Sequence, residues 1–184
     1  ELLPARRKHI AVTKSVCVSL EDGSWARLEP SKQLILEIEI EFEDAAIGRQ
    51  SLTYHHVDGS FASELAGART FCQWSDVGLM KNAGLALGGS LDNALVVDGN
   101  KILNVDGLRM EREFVRHKAL DCLGDLLLLG MPLRSKMIAY RPGHALSTKL
   151  VQALLDDSSA YKIVEAHPNK TLSNSYTLPE LAAA

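Results

Sequence analysis

The chain has 184 residues and a formal net charge of −3, with 46% hydrophobic and 23% charged residues. This is the usual balance of a globular protein with enough apolar material for a core. The slight negative charge excludes a global basic field of the kind that holds nucleic acid without sequence preference. The longest apolar run, Leu126 to Leu129, is far too short to cross a bilayer, and the N-terminus does not show the pattern of a signal peptide. The sequence therefore predicts a soluble, cytoplasmic protein.

The three cysteines, Cys17, Cys72 and Cys122, lie far apart and form no CxxC pair. This spacing is typical neither of a disulfide framework nor of a structural zinc knuckle. Reduced thiols are predicted, in agreement with the predicted cytoplasmic location.

The first half of the chain is rich in strand patterns. The clearest is Leu34 to Phe42, where apolar residues alternate with three glutamates, as in a strand with one face in the core and one in water. Asp22-Gly23 and Asp98-Gly99 are typical of hairpin turns. The other predictions here are strands over His9 to Leu20, Trp25 to Leu28, Leu52 to His56, Asn93 to Val97 and Lys101 to Leu103, and short helices from Asp58 or Ser60 to Ala66 and from Asp76 to Ala83.

The second half contains the strongest helix pattern, Glu113 to Leu129, which ends before Gly130 and Pro132. Hairpins outnumber repeated βαβ units along the chain, which predicts an α+β fold with a mixed or antiparallel sheet packed against two main helices. The remaining predictions are a short strand from Met137 to Tyr140, a helix from His144 to Leu155, a strand from Tyr161 to Glu165 and a flexible tail from Asn169 onward.

A polar stripe runs along the predicted helix over Glu113 to Leu129. At about 100° per residue, His117, Asp121 and Asp125 lie at about 0°, 40° and 80° of the helix circumference. Phe114 and Leu128 fall on the same arc, and the other faces are apolar, so we expect a buried helix. Buried imidazole and carboxylate groups must be paired or bound to a metal.

His117 and Asp121 are four residues apart, so both can reach one metal ion, and Asp125 could orient a partner. A hydrogen bond between His117 and Asp121 without a metal explains the same spacing. A catalytic zinc ordinarily has three protein ligands, and His144, at a helix start, is the candidate for the third within the chain. Three basic residues close to these groups in sequence could form a local anion pocket: Arg116, Lys118 and Arg141.

Five separated motifs resemble the zinc-dependent UDP-3-O-acyl-N-acetylglucosamine deacetylase family of bacterial lipid A synthesis, over the span from about Arg7 to about Val164. Two of the motifs are Asp106-Gly107-Leu108-Arg109 and the helix stretch from Glu113-Phe114-Val115-Arg116-His117-Lys118 to Asp125. The others are Ala68-Arg69-Thr70-Phe71, the segment Leu85 to Ala94, and Gly143-His144-Ala145-Leu146. Phe42 to Ile47 is only a weak form of a further family stretch. Cys72-Gln73-Trp74-Ser75 departs from the family's usual continuation.

The resemblance implies roles for individual residues. His117 and Asp121 would be zinc ligands, His144 the catalytic histidine and Asp125 its hydrogen-bonding partner. Thr70 would support the oxyanion. Lys118 and Arg141 would contact the substrate, Arg141 standing where the family usually has a lysine. An apolar passage for the substrate's acyl chain would be lined by Phe71, Trp74, Val77, Ala86, Leu91, Ala94 and Val96.

The resemblance also implies that the chain is the C-terminal domain of such an enzyme, over residues 1–168, with a βαβ insert at about 71–97 and a flexible tail at 169–184. An N-terminal domain would supply the third zinc ligand and the general base, so we expect the chain alone to be inactive. The implied substrate is UDP-3-O-acyl-N-acetylglucosamine. Two other hypotheses stay open: a non-catalytic domain that binds a UDP-sugar or a protein partner, and an unrelated zinc hydrolase with His144 as third ligand.

Overall fold

The computed structural model describes residues 7–84 and 88–166, so the predicted tail at 169–184 and Ala86 lie outside the described residues. The strands of the described residues are β1 (Arg7–Val12), β2 (Val16–Ser19), β3 (Trp25–Pro30), β4 (Ile35–Glu41), β5 (Arg49–His55), β6 (Thr70–Gln73), β7 (Ala94–Asp98), β8 (Lys101–Ile102), β9 (Leu133–Tyr140) and β10 (Tyr161–Ala166). The α-helices are α1 (Trp74–Asn82), α2 (Glu113–Leu126) and α3 (His144–Asp156).

Strand β9 is at the centre of the larger sheet. It pairs in parallel with β1 and β4 and antiparallel with β3, while β10, β5 and β2 extend the sheet beyond those neighbours. Residues Leu133, Ser135, Met137 and Ala139 of β9 are buried. The prediction of a short strand over Met137 to Tyr140 was too short, because Arg134, Ser135 and Lys136 conceal the apolar alternation.

The alternation in β4 has the predicted consequence. Leu36, Ile38 and Ile40 are buried, whereas Glu37 and Glu39 lie on the open face and pair with Lys136 and Arg49. The predicted single strand over residues 9–20 is wrong, because the chain bends at Lys14. β1 therefore pairs with β10 and β9, and β2 turns back on β3 through the predicted Asp22-Gly23 hairpin.

Helices α2 and α3 cover one face of the sheet and pack against each other. α2 lies over β4 and β5, and α3 lies over β2 and β3. Full burial of each large aliphatic side chain stabilises the fold by about 1.5–3 kcal/mol, so this layer holds much of the core. Its buried apolar side chains are Phe114, Val115, Ala119, Cys122, Leu123 and Leu126 from α2, and Leu146, Leu150, Val151 and Leu154 from α3.

The end of α2 differs from the prediction. The helix stops at Leu126 and tightens into a 3-10 turn over Leu127–Leu129, which ends at Gly130 with φ of 70°. Leu127 and Leu128 are 68% and 63% exposed. The prediction that Leu128 lies on the arc of the polar stripe and that the helix is buried is therefore wrong at this end. The tighter turn rotates Leu127 and Leu128 away from the core.

The βαβ unit and the strand that follows it form a separate three-stranded sheet. β6 and β7 pair in parallel with α1 between them, and β8 returns antiparallel to β7 through the predicted Asp98-Gly99 turn. This confirms the predicted α+β architecture with a small βαβ unit. The predicted short helix near residue 60 is a π-helical turn, Phe61–Leu65; Ser60 precedes it but makes no side-chain capping bond, because its hydroxyl bonds to Val57 and Tyr54.

The cysteines are free: Cys17 is exposed, Cys72 half-buried and Cys122 buried. Burial raises the pKa of the Cys122 thiol to about 12, which keeps it protonated and inert. None of the helices in the described part of the chain has the length and apolar character needed to span a bilayer.

Candidate active site

The first half of the site is a histidine–aspartate pair on α2. His117 Nε2 lies 3.3 Å from Asp121 Oδ1, and the two side chains are only 13% and 16% exposed. His117 Nδ1 lies 3.2 Å from the carbonyl oxygen of Ala68. Because a carbonyl oxygen can only accept, Nδ1 carries the proton and donates it.

This arrangement is suited to a cation. With Nδ1 protonated, the lone pair of Nε2 faces a carboxylate oxygen, and two acceptors at 3.3 Å attract each other only when a positive charge lies between or on them. A proton on Nε2 or a metal ion supplies that charge. The geometry thus fits two donors of a metal site, and it keeps the metal-free hydrogen bond as the alternative.

The second half of the site is a histidine–aspartate pair between the two main helices. His144 is the first residue of α3, and its Nδ1 lies 3.0 Å from both carboxylate oxygens of Asp125 on α2. Asp125 is 16% exposed, whereas His144 is 71% exposed. The carboxylate fixes Nδ1 as the donor and leaves Nε2 open to solvent, where it can exchange a proton with a bound molecule.

The two pairs share one face of α2. Asp121 and Asp125 are separated by one helical turn, a rise of about 6 Å. His117 is a further turn towards the start of the helix. The predicted stripe of His117, Asp121 and Asp125 is therefore present, and His144 joins it from α3.

Thr70 and Phe71 lie at the start of β6, beside α2. Thr70 is exposed, and the Phe71 ring contacts the rings of Phe114 at 5.1 Å and His117 at 6.2 Å. The edge contacts seat the strand against the helix. The predicted oxyanion-supporting residue is thus next to a residue that contacts the predicted metal ligand.

An apolar cleft of about 550 Å³ opens between β6, α1 and β7. Trp74 and Leu91 are 57% and 48% exposed there, and exposed large apolar groups in a cleft are typical of a site for an apolar ligand. Six of the seven predicted passage residues line it: Phe71, Trp74, Val77, Leu91, Ala94 and Val96.

Sequence reasoning missed the residue that holds one wall of this cleft. Asn104 is buried, donates to the carbonyls of Leu91 and Ala94 at 2.7 and 2.8 Å, and accepts from the Val96 amide at 2.9 Å. Its contacts are with residues 8 to 13 positions away, so no local spacing marks it. Cys72, Asn93 and the segment 88–90 also line the cleft without having been predicted to do so.

A second cleft of about 610 Å³ contains Lys118 and Arg141. Lys118 Nζ donates to Asp121 Oδ2 at 3.4 Å and lies 5.5 Å above the Phe71 ring. Arg141 adopts a positive φ of 51°. The cleft is of mixed charge, since Asp22, Glu41 and Glu43 also line it.

Arg116 does not belong to this group. Its Nη1 donates to the Glu64 carbonyl at 3.0 Å and lies 3.7 Å from the Glu64 carboxylate. The expectation that it contributes to an anion pocket is wrong, because Arg116 and Lys118 are two positions apart on α2, and side chains with that spacing point to nearly opposite sides of a helix.

Among residues 7–84 and 88–166, no group of three His, Cys, Asp or Glu side chains is arranged to hold a metal ion. His117 and Asp121 contact each other, and His144 Nδ1 contacts Asp125. The described residues therefore contain no three-ligand cluster that would support the hypothesis of His144 as the third zinc ligand.

Comparison with known proteins adds the last finding. The family model described as UDP-3-O-acyl N-acetylglycosamine deacetylase matches residues 2–156. The chain is 46% identical over 163 residues to proteins named UDP-3-O-acyl-N-acetylglucosamine deacetylase from Brucella ovis, Brucella canis and Brucella suis. The match covers 88% of this chain and 57% of each relative, so the chain spans somewhat more than half the length of these relatives.

Proposed function

The chain belongs to the UDP-3-O-acyl-N-acetylglucosamine deacetylase family, and we propose that it forms one part of a zinc-dependent amide hydrolase. The substrate would be UDP-3-O-(3-hydroxyacyl)-N-acetylglucosamine, and loss of its N-acetyl group would be the committed step of lipid A biosynthesis. The observation that carries the proposal is the pair of histidine–aspartate contacts on one face of α2, beside an apolar cleft.

His117 and Asp121 would be two of the protein ligands of the zinc ion. The usual catalytic site has three protein ligands and one open position. The third ligand and a general base would come from an N-terminal domain. When bound, zinc supplies Lewis acidity, which polarises a carbonyl group and lowers the pKa of water to about 7.

The residues of this chain would act on the amide around that centre. His144 Nε2, exposed beside the α2 face, would give a proton to the leaving amine or stabilise the developing oxyanion. Asp125 would hold the His144 ring in the required tautomer through its two 3.0 Å contacts. The Thr70 hydroxyl would donate a hydrogen bond to the oxyanion.

Substrate recognition would divide between the two clefts. The apolar cleft of the insert would take the acyl chain, at about 0.8 kcal/mol for each methylene group removed from water. Lys118 and Arg141 would donate charge-assisted hydrogen bonds to the sugar and its diphosphate from the second cleft, against the repulsion of the three carboxylates that also line it.

The experiment joins the chain to the N-terminal part of the Brucella suis relative and measures acetate release and zinc content of the complete protein. We expect turnover and about one zinc per chain in the complete protein, and essentially none of either in the isolated 184-residue chain. A folded complete protein with zinc but without turnover would favour the non-catalytic binding domain. Turnover by the isolated chain would favour a hydrolase that uses His144 as third ligand.

A further inference from the structure

A buried ion pair outside the proposed chemistry joins the residue before β6 to the start of α2. Arg69 and Glu113 are 2% and 0% exposed, and Arg69 Nε lies 2.9 Å from Glu113 Oε1. Removing two charges from water costs more than many such pairs return, so a buried pair is weak evidence for a stabilising role. Its position therefore needs another explanation.

The Glu113 carboxylate collects four hydrogen bonds. It accepts from the backbone amide, Nε and Nη2 of Arg69 at 3.0, 2.9 and 3.2 Å, and from the backbone amide of Arg109 at 2.6 Å. Arg69 Nη2 also donates to the Gly107 carbonyl at 2.6 Å. Burial alone would raise the pKa of Glu113, but the bonds from Arg69 and Arg109 outweigh it and lower this pKa, so the carboxylate is ionised.

Both residues of the pair are close in sequence to residues of the site. Glu113 is the first residue of α2, and His117 follows it by four residues on the same helix. Arg69 lies between Ala68, whose carbonyl accepts from His117 Nδ1 at 3.2 Å, and Thr70. One buried contact thus fixes both the start of the helix that carries His117 and the segment before β6 that carries its hydrogen-bond acceptor.

We propose that Arg69 and Glu113 are positioning residues, whose buried pair holds the Ala68 carbonyl against His117 Nδ1 and so aims Nε2 at the Asp121 side of the site. The Ala68 carbonyl is the group that fixes the histidine proton, and such partners of a metal-binding histidine typically contribute 10- to 100-fold to metal affinity. The inference rests on the proposed function for the role of His117 as a ligand, but the contact itself does not depend on a metal.

The decisive variant is the double substitution Arg69→Met with Glu113→Gln. Met fills similar volume without the charge of Arg69, and Gln removes the charge of Glu113, so neither charge is left buried without its partner. Gln also keeps an acceptor for the Arg109 amide. The matched control is Arg116→Met on α2, which also removes an arginine that bonds to a distant backbone carbonyl, in this case that of Glu64.

Two measurements are made on each protein. The first is the His117 Nδ1–H resonance of the 184-residue chain labelled with ¹⁵N-histidine, together with its exchange with water. The second is the affinity of the complete protein for Zn²⁺ alone, by chelator competition. We expect the double variant to lose the slowly exchanging resonance and at least tenfold in zinc affinity while it keeps the circular dichroism spectrum of the parent, and we expect the control to keep both.

A folded double variant that keeps the resonance and stays within about twofold of the parental zinc affinity would overturn the positioning role. Arg69→Lys gives an independent check, because it keeps the positive charge but loses the several N–H donors of the guanidinium group. We expect this variant to retain the His117 Nδ1–H resonance in part. If the parent protein binds no zinc and the resonance still disappears in the double variant, the proposed function fails while the positioning role stands.

Discussion

The face of α2 and the insert cleft are built in opposite ways. On α2, the polar groups are largely buried and each faces a partner within 3.0 to 3.4 Å. In the insert, Trp74, Leu79 and Leu91 are 57%, 69% and 48% exposed. Bond-making chemistry requires fixed orientation, whereas binding a flexible acyl chain requires apolar area. We therefore expect changes on α2 to act on metal binding and kcat, and changes of residues that line the insert cleft to act on KM.

The largest effect is expected for the ligand pair. His117→Ala or Asp121→Ala in the complete protein should abolish specific zinc binding and, with it, turnover, because a catalytic zinc site usually needs three protein ligands and only two would remain. Calorimetric titration with zinc measures this directly. Unchanged zinc affinity in both variants would show that these residues are not zinc ligands, and it would contradict the assignment of metal binding to α2.

A smaller effect is expected for Asp125, which contacts His144 rather than the metal. Asp125→Asn should keep the zinc and lower kcat by about 10- to 100-fold, since the His144 ring loses its charged acceptor. KM should change little. Asp156→Asn, an exposed aspartate on α3, is the control and should match the parent; a loss of zinc from the Asp125 variant would contradict the assigned role.

A change in the lining of the insert cleft should act on substrate binding. Leu91→Gln should raise KM for the acylated substrate by about fivefold, because roughly half of a leucine's burial energy is available at a half-exposed position. The value of kcat should stay near that of the parent. Leu79→Gln on α1 is the control, since Leu79 is exposed but does not line the cleft; equal effects of the two substitutions would show that the cleft is not the acyl site.

The smallest effect concerns the fold outside both regions. Asp157 follows α3 and pairs with Lys14 at 2.7 Å; hydrogen bonds from Lys14 and Ser159 lower its pKa to about 2. A lowered pKa in the folded state contributes stability above the ordinary value of 3.8, and that contribution disappears as the pH falls towards 2. Asp157→Asn should lower the Tm at pH 7 by no more than about 3 °C, and the difference should vanish near pH 2. A difference that is constant with pH would contradict the ion-pair origin.

The parts predictable from sequence are those set by local spacing. The stripe on α2 follows from residues four apart, the hairpins from Asp-Gly turns, and the β4 faces from a period of two. The central place of β9 was not predictable, because it depends on pairing with strands more than 90 residues away. The Ala68 carbonyl against His117 and the Glu64 contact of Arg116 are tertiary contacts of the same kind. The domain bounds and the roles of the site residues stay predictions.

The most direct test of the account is zinc content and kcat measured on one preparation of His144→Ala in the complete protein. The Asp125 contact makes His144 Nδ1 the donor and leaves Nε2 free, and we assign Nε2 to proton transfer. The variant should therefore keep its zinc while kcat falls by roughly 10²- to 10⁴-fold, the usual range for loss of a general acid–base group. A zinc-depleted His144→Ala protein would contradict the account, because it would make His144 a ligand.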